Sequence, residues 1–410
     1  MFLIPYATTP KGQRLSKVEF IALMAMMFAT IAFAIDAMLP ALPMIAADLA
    51  PEDPSRVALI LTFFLIGMGI GTFFMGPLSD AFGRKPVLYL GLAIYAFGAA
   101  LSWSATTLEM MLAARMLQGL GAAGPRVVSA AIMRDLFSGR EMASIMSFTM
   151  MVFLLVPGIA PLIGAIINDV YGWRMIFGAF LLFGMILFIW FGARMSESLP
   201  VKDRRCICWS LIIDALRQIA THRTVRLSIL VQTMMMTILF STLTMVQAIF
   251  ELTFDRAASF PYWFGAIAMV SGLSSLLNAT IVGRFGMRRL VTWAIMAQVV
   301  MSAVFVLVHT NMSSGLFVFY IIWQFGVMFQ NGLTVANLNA IAMEPMGHIA
   351  GMAASVIGSV STIMGAVFAS VIALVFESST ITLTNTVLAL CGIAGVLMHL
   401  MRQIEGADED

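Results

Sequence analysis

Two charged residues inside apolar stretches, Asp36 and Arg115, are the strongest candidates for chemistry in this sequence. Asp36 lies in FAIDAMLPALP (33–43) and is the one acid clearly inside a predicted membrane span. Both residues lie about seven positions, roughly 10 Å, inward from the predicted outer ends of their spans. Charges at such depth usually pair with one another or face a cavity. Two hypotheses stay open: a static ion pair between two helices, or a carboxylate that loads and releases a proton while Arg115 tunes it.

Other polar residues are spaced to line one side of a helix. Arg126 follows Arg115 at about 20° around an ideal helix, with Ala122 between them. Arg126 is either a second charge on an internal path or a side chain that reaches water at the span end. Ser and Thr often bond their own helix backbone, so stripes of such residues either line a cavity or satisfy themselves. Two stripes fit this description, Thr233, Thr237, Ser241, Thr244 and Gln247 in one span and Tyr320, Gln324 and Asn331 in another.

Composition shows which elements must hold these residues. The 410-residue chain is 61% hydrophobic and 11% charged, with a mean hydropathy of +0.97, whereas soluble domains carry about 25% charged residues. Apolar runs long enough to cross a bilayer recur throughout the chain. The sequence therefore predicts an all-α polytopic membrane protein. We place twelve spans at about 18–40, 57–76, 87–104, 107–131, 142–166, 173–193, 226–249, 261–282, 290–309, 314–336, 352–375 and 381–401.

The positions of Lys and Arg predict the orientation. Eighteen of the 23 lie in segments that are cytoplasmic if the N-terminus is. The outer segments hold only Arg56, Arg174 and Arg256, and the other two, Arg115 and Arg126, lie inside spans. Because cytoplasmic loops carry the excess of Lys and Arg, both ends are predicted to be cytoplasmic. The predicted organisation is a cytoplasmic N-terminal segment (1–17), a six-helix bundle (18–193), a cytoplasmic linker (194–225), a second six-helix bundle (226–401) and an acidic cytoplasmic tail (402–410).

The two halves echo one another. FGRKP (82–86) follows the second span of the first half, and FGMRR (285–289) follows the second span of the other half. A matching turn at the same place in each half is expected of a duplicated six-helix unit. Glycines at positions 351, 358 and 365 recur every seven residues and predict a packing seam in the eleventh span.

The Cys and His residues argue against a metal or catalytic centre. The C-x-C of Cys206 and Cys208 has only His222 nearby, whereas zinc needs about four ligands, so we expect unpaired thiols and no bound metal. The four histidines are scattered without HExxH spacing, and no Ser/Lys or paired intramembrane Asp set is present. An intramembrane enzyme or sensor is therefore a remote alternative.

The stretch GPLSDAFGRKP (76–86) reads as a tight turn at the cytoplasmic face, with Gly76 and Gly83 allowing the turn and Pro77 and Pro86 marking the helix limits. It resembles the loop signature of the major facilitator superfamily, G-x-L-(A/S)-D-x-x-G-R-(K/R). The resemblance implies a charge network that latches the two halves at the cytoplasmic side. The implied gate residues are Gly76, Asp80, Gly83, Arg84 and Lys85.

Three more stretches are similar to the drug:proton antiporter branch of that family. ARMLQGLGAAG (114–124) contains Arg115 and Gln118, and GWRMIF (172–177) begins the sixth span. VPGIAPLIGA (156–165) resembles the antiporter motif of the fifth span, although Ala160 and Ala165 replace two of its glycines. There Pro157, Gly158, Pro161 and Gly164 predict a kink, which the resemblance makes a hinge or seal between the halves. With IDAMLPALP (35–43) and IMRDLF (132–137), the set looks most like the bicyclomycin/chloramphenicol-resistance (Bcr/CflA) group of multidrug exporters.

The resemblance implies a transporter that exports amphiphilic drugs or metabolites in exchange for protons, by alternating access of two six-helix halves. Asp36 would then alternate between proton and substrate. Gln118, Ala122, Arg126, Thr237, Ser241, Thr244, Tyr320, Gln324 and Asn331 would line the cavity. The expected partners are the lipid bilayer, protons and a small amphiphilic substrate, with no nucleic acid, no bound cofactor and no second copy of the chain. The expected location is the bacterial inner membrane, and a proton:solute symporter that imports a nutrient is the alternative.

Overall fold

The computed structural model describes residues 3–8, 14–204, 209–311, 315–376 and 379–408. The chain divides by its contacts into two units, Met1–Cys208 and Trp209–Asp410, and the boundary falls inside the stretch 194–225 that the sequence predicts as a linker. The predicted thiols Cys206 and Cys208 lie outside the described residues. The first unit opens with two short antiparallel strands, β1 (Leu3–Thr8) and β2 (Arg14–Ser16), which the all-α prediction does not include.

Helices make up the rest of the first unit. They are α1 (Lys17–Asp36), α2 (Leu42–Leu49), α3 (Leu59–Phe82), α4 (Arg84–Trp103), α5 (Leu108–Leu136), α6 (Gly139–Phe153), α7 (Leu155–Tyr171) and α8 (Arg174–Arg194). The second unit holds α9 (Trp209–Thr221), α10 (Arg223–Ala248), α11 (Phe260–Phe285), α12 (Met287–Asn311), α13 (Leu316–Met343), α14 (Ala350–Val375) and α15 (Thr380–Asp408). The predicted linker is thus partly helical, because it contains α9.

Eleven helical stretches among the described residues are long and apolar enough to cross a membrane. The one predicted span not among these eleven is the fourth, at 107–131, which is α5; this helix is 29 residues long but rich in glycine, and it carries Arg115 and Arg126. These residues lower the mean hydropathy of α5. They are tolerated in a membrane span because α5 packs along both α3 and α4. Counting α5, the described helices account for all twelve predicted spans.

Glycines bring the backbones of α3, α4 and α5 into direct contact. A Cβ added at Gly119 of α5 would overlap the Phe64 carbonyl of α3, and one at Gly67 of α3 would overlap the Met116 carbonyl of α5. On the other side of α5, a Cβ at Gly121 would overlap the Tyr95 backbone of α4. Small residues permit such close helix approach in membranes. The Q-G-x-G part of the fourth-span motif therefore fixes where α5 sits.

The predicted turn at 76–86 is a single residue. Helix α3 runs through Gly76 and Pro77 to Phe82, and α4 begins at Arg84, so the prediction that Gly76 forms the turn and Pro77 limits the helix is wrong. Gly83 alone makes the turn, at φ 103°. Pro77 is accommodated because a proline costs one backbone hydrogen bond, which the packed interior of a membrane helix bundle tolerates.

The second unit repeats this turn. Gly286, at φ 81°, is the single residue between α11 and α12, and it occupies the same place in FGMRR as Gly83 does in FGRKP. In each unit the turn glycine donates its N–H to a carbonyl four residues earlier, that of Ser79 or of Val282. A left-handed residue after a helix favours glycine, so the sequence echo reports a shared backbone geometry.

The fifth span is broken where its prolines predict a kink. Helices α6 and α7 meet at Leu154, three residues before Pro157. A proline removes one backbone hydrogen bond and its ring crowds the preceding turn, which accounts for the break. Beyond it, the buried residues Gly158, Pro161 and Gly164 share one face of α7.

The predicted glycine seam of the eleventh span is wrong at two of its three positions. Gly365 of α14 packs closely against Met236 of α10, whereas no atom of the described residues lies within 4 Å of a Cβ added at Gly351 or Gly358. Helix α14 packs against α10, but of the three glycines only Gly365 lies at the close approach, so the regular spacing does not mark the contact.

Candidate functional site

Arg115 is completely buried in α5, and each of its contacts comes from a different part of the first unit. Its Nη1 donates to Gln118 Oε1 at 2.6 Å, and its Nη2 donates to the Ala34 carbonyl of α1 at 3.0 Å. The guanidinium carbon lies 4.3 Å from the centre of the Phe64 ring and 5.9 Å from that of Phe177. Aromatic faces attract a cation that has left water. Arg115 is therefore held by a side-chain amide, a backbone carbonyl and two rings.

The Ala34 carbonyl is available to Arg115 because α1 ends two residues later. The Met38 N–H bonds to Ile35 O at 3.3 Å in place of Ala34 O, and Pro40 prevents a regular continuation of the helix. Carbonyls in the last turn of a helix lack intrahelical partners and carry partial negative charge, so a cation there is favourable. Arg115 thus caps the C-terminal end of α1.

Asp36 is the last residue of α1 and only 6% exposed. Its carboxylate makes no ion pair and no side-chain hydrogen bond with any residue in the described part of the chain. The static Asp36–Arg115 ion pair, one of the two hypotheses from the sequence, is therefore absent from this structure. Arg115 binds the helix two residues before Asp36 instead.

Helix α7 contacts α1 immediately after Asp36. A Cβ added at Gly164 would overlap the Ala37 carbonyl, so the two backbones touch at this point. Gly158 and Pro161 lie on the same buried face of α7. The structure thus brings three sequence-predicted features to one place: Asp36, the Arg115–Gln118 pair, and the glycine face of the predicted hinge.

Sequence reasoning missed the aromatic residues around Arg115. Phe64 lies in an apolar run without a polar signal, and Phe177 is the last residue of GWRMIF, a motif that does not indicate a contact with Arg115. Tyr95 of α4 is also fully buried, and its backbone contacts Gly121 of α5. The glycines of α5 are the signal that could have found Phe64 and Tyr95, because they force both neighbours close.

A second cluster surrounds Arg84 at the other end of the first unit. Its guanidinium donates to Asp80 and Ser79, and it forms a two-pronged contact with Asp135 at 2.8 Å and 3.1 Å. Planar two-pronged Arg–carboxylate contacts are among the stronger charged hydrogen bonds. Of the predicted gate residues, Asp80, Gly83 and Arg84 meet here. Asp135 comes from the end of α5, within IMRDLF.

The segment after α8 closes this cluster. Glu197 accepts from the backbone N–H groups of Arg84 and Lys85 at 2.9 Å and 3.0 Å, which caps the N-terminus of α4. Ser198 donates to Asp135 at 3.1 Å, and Lys85 Nζ donates to carbonyls at the end of α8. Sequence reasoning missed Glu197 and Ser198, since they lie in the stretch it assigned to a linker.

Arg126 stands apart from these clusters. It is exposed, whereas Ala122, one turn earlier on the same face of α5, is completely buried. Arg126 makes no ion pair within the described ranges. The structure therefore does not bring Arg126 into the Arg115 site, although both lie on one side of α5.

The polar stripe of α10 divides into two kinds of residue. Thr237 and Thr244 donate to carbonyls of their own helix at 2.9 Å, the self-satisfied alternative raised by the sequence. Ser241 Oγ and Gln247 Oε1 are buried and have no hydrogen-bond partner in the part of the chain that the structure describes. Buried polar atoms without partners are rare and call for an explanation.

The polar side of α13 shows the same feature. Gln324 is completely buried, and neither amide atom bonds any described residue. The Tyr320 hydroxyl and Asn331 Oδ1 also lack partners within those ranges. The Tyr320 ring packs against Phe250, Phe254 and Trp323 in an aromatic cluster of the second unit.

Comparisons with known proteins identify the family to which the chain is similar. The model of the Major Facilitator Superfamily matches residues 22–369. The chain is 29% identical over 348 residues to a bicyclomycin resistance protein homolog of Haemophilus influenzae, covering 83% of this chain and 85% of that protein. It is 39% identical over 155 residues to a chloramphenicol resistance protein of Pseudomonas aeruginosa, covering 37% of this chain and 36% of that protein. The solved structure of a D-xylose-proton symporter shares the fold, with a TM-score of 0.73 and 12% identity over 93% of this chain and 97% of that one.

Proposed function

Because the chain belongs to the Major Facilitator Superfamily of membrane transporters, we propose that it exports amphiphilic drugs or metabolites in exchange for protons. Relatives named for resistance to bicyclomycin and chloramphenicol support the outward direction. The proton gradient is the energy source, so no bound cofactor is needed. The protein works as a monomer in the bacterial inner membrane with both termini in the cytoplasm, as the Lys and Arg distribution favours.

The observation that carries this proposal is the unpaired Asp36 beside an Arg115 that already has other partners. A carboxylate among apolar helices is costly unless it binds a proton, a countercharge or a ligand. When Asp36 carries a proton, Arg115 is free to cap α1 through Ala34 O, as observed. When Asp36 releases the proton, its carboxylate competes with that carbonyl for the guanidinium. Protonation of Asp36 therefore determines whether Arg115 binds the Ala34 carbonyl at the end of α1 or the Asp36 carboxylate.

The contact between α7 and α1 connects this exchange to a conformational change. Gly164 touches the Ala37 carbonyl, so any movement of the α1 end is felt directly by α7. Helix α7 is broken from α6 at Leu154, which gives it freedom to tilt. In a transporter that alternates access, these are the parts that would convert protonation into tilting of helices.

The second unit supplies polar groups suited to an uncharged part of the substrate. The Ser241 and Tyr320 hydroxyls, the Gln324 amide and the Asn331 side-chain oxygen have no partners among the described residues, and Tyr320 belongs to an aromatic cluster. None of these side chains is charged. A substrate with an apolar body and a few hydrogen-bonding groups fits this set.

The decisive experiment measures drug-driven proton release in everted membrane vesicles from a pump-deficient bacterium. Asp36→Asn should abolish this release and the resistance to every exported compound of a drug panel, while the protein still accumulates in the membrane. Asp169→Asn is the matched control, because it makes the same chemical change at an exposed acid of α7. Proton release by Asp36→Asn at the wild-type level would refute the proposal. Uptake of a nutrient by the wild type, with resistance to nothing on the panel, would favour import.

A further inference from the structure

The helix α9, between the two predicted bundles, has an apolar surface that its own unit does not cover. Ala215 and Ile219 are buried, and α9 packs on α10 and α14. Ile213 is 61% exposed and Leu216 is 37% exposed. On an ideal helix Leu216, Ala220 and Ile213 lie within about 60° of one another, adjacent to the buried stripe. The apolar side of α9 is therefore wider than the contact that it makes.

Cationic residues border this uncovered side. Arg217 lies about 40° beyond Ile213 around the helix, and Arg223 and Arg226 follow in the first turn of α10; all three are exposed. None of the three makes an ion pair in the described part of the chain. Asp214 is the only acidic residue between Arg204 and Glu251 in the sequence. In this stretch of the sequence the basic residues outnumber the acidic ones.

The position of α9 relative to a bilayer follows from α10. The membrane-crossing stretch begins at Arg223, and α9 ends at Thr221 with only His222 between them. The backbone at His222, with ψ 121°, separates the two helices, so α9 does not extend the span. Helix α9 therefore lies at the boundary where headgroups begin. An amphipathic helix bordered by arginines at that height matches the composition of interfacial helices.

We propose that α9 and the start of α10 form a docking surface for anionic phospholipids of the inner leaflet. Ile213 and Leu216 enter the acyl boundary, and Arg217, Arg223 and Arg226 bind the phosphates above it. Charge complementarity selects this occupant, because zwitterionic headgroups offer no net charge to three unpaired arginines. The surface requires that the chain lie in a membrane with α9 on the cytoplasmic side, and it does not depend on which substrate is transported.

Lipid selectivity of the purified full-length protein tests the charged part of the surface. Native mass spectrometry would compare the binding of phosphatidylglycerol and phosphatidylcholine with identical acyl chains. We expect the wild type to prefer phosphatidylglycerol, and the triple variant Arg217→Gln, Arg223→Gln, Arg226→Gln to reduce that preference about tenfold or more. The corresponding Lys triple variant keeps the charge and should keep the preference, which separates binding from misfolding.

The matched control removes the same charge elsewhere on the predicted cytoplasmic side. Arg284, Arg289 and Arg402 are exposed residues of the same unit, and their combined change to Gln should leave the preference within about twofold of the wild type. An equal loss in both Gln triple variants would show that only net charge matters and would overturn the docking surface. An unchanged preference in the α9 triple variant would overturn it as well.

Accessibility of spin labels tests the apolar part independently. In a Cys206→Ser, Cys208→Ser background reconstituted in phosphatidylglycerol vesicles, nitroxides would be attached at Ile213→Cys and at Asp214→Cys. We expect the label at 213 to be accessible to oxygen, which partitions into lipid. We expect the label at 214 to be accessible to a nickel chelate, which is soluble in water. Low accessibility of position 213 to both reagents would show that protein, such as the first unit, covers it. Access of the nickel chelate to position 213 would show water there. Either result refutes lipid docking.

Discussion

At the scale of single residues, the site depends on where a helix stops. The sequence places Asp36 and Arg115 at matching depth, and the guanidinium does reach α1 two residues before Asp36. The sequence could not indicate the partner that Arg115 takes. That partner is a backbone carbonyl, exposed only because α1 ends at Asp36, four residues before the predicted end of the span. The end of a helix leaves backbone carbonyls without intrahelical partners, and residue types alone do not show which carbonyls these are.

The contacts of Arg115 predict that Arg115→Lys is not a conservative change. The guanidinium donates hydrogen bonds to Gln118 and Ala34 O while it lies over the Phe64 ring. The compact ammonium of a lysine cannot make all of these contacts at once. We expect drug-driven proton release in everted vesicles to fall at least about tenfold, since roughly 1.4 kcal/mol of lost stabilisation gives a factor of ten. Arg134→Lys, an exposed residue on the same helix, is the control and should transport normally. Wild-type activity of Arg115→Lys would show that the fork of hydrogen bonds is dispensable.

At the scale of elements, glycines and prolines reveal contacts only when their surroundings are known. The sequence predicts a kink from Pro157 and Pro161, and the break at Leu154 follows from their chemistry. The same reasoning failed for Gly351 and Gly358, which face no neighbour, and for Gly76, which lies inside α3. A glycine can allow a turn, a close approach or nothing, and spacing alone does not separate these cases.

Gly164 allows the backbone of α7 to touch the end of α1. In Gly164→Ala the added methyl meets the Ala37 carbonyl, so α7 and α1 must separate beside Asp36. Overpacking of this kind typically costs about 1–3 kcal/mol. We therefore expect a lower midpoint of thermal unfolding in detergent and a loss of transport. Unfolding would be followed by the loss of the helical circular-dichroism signal.

Gly358→Ala provides the control for that measurement. In the part of the chain that the structure describes, no atom lies within 4 Å of a Cβ added at Gly358, and alanine is favoured over glycine within a helix by up to about 1 kcal/mol. The control should therefore keep or raise the unfolding midpoint and retain transport. If Gly164→Ala behaved like Gly358→Ala, the contact between α7 and the end of α1 would not matter for stability.

At the scale of the whole molecule, the sequence predicted the architecture better than it predicted the site. Hydropathy indicates the spans because each apolar run must satisfy its backbone within a helix. The echo of FGRKP in FGMRR marks a repeat, since both turns need a left-handed glycine. Glu197 was assigned to a linker, yet it caps α4 and belongs to the first unit. The sequence does not show with which of the two units a polar residue near their boundary makes its contacts.

The division of the chain predicts that the two units can be made as separate polypeptides. Every hydrogen bond and ion pair described here joins residues of the same unit, including those of Glu197 with α4 and of Glu19 with Arg194. A break between residues 208 and 209, at the boundary of the two units, therefore keeps Glu197 with the first six spans and α9 with the last six. We expect the two fragments, expressed together in a pump-deficient bacterium, to restore part of the drug resistance, and either fragment alone to restore none. If both fragments accumulate in the membrane without any resistance, the covalent linker is needed for more than joining the halves.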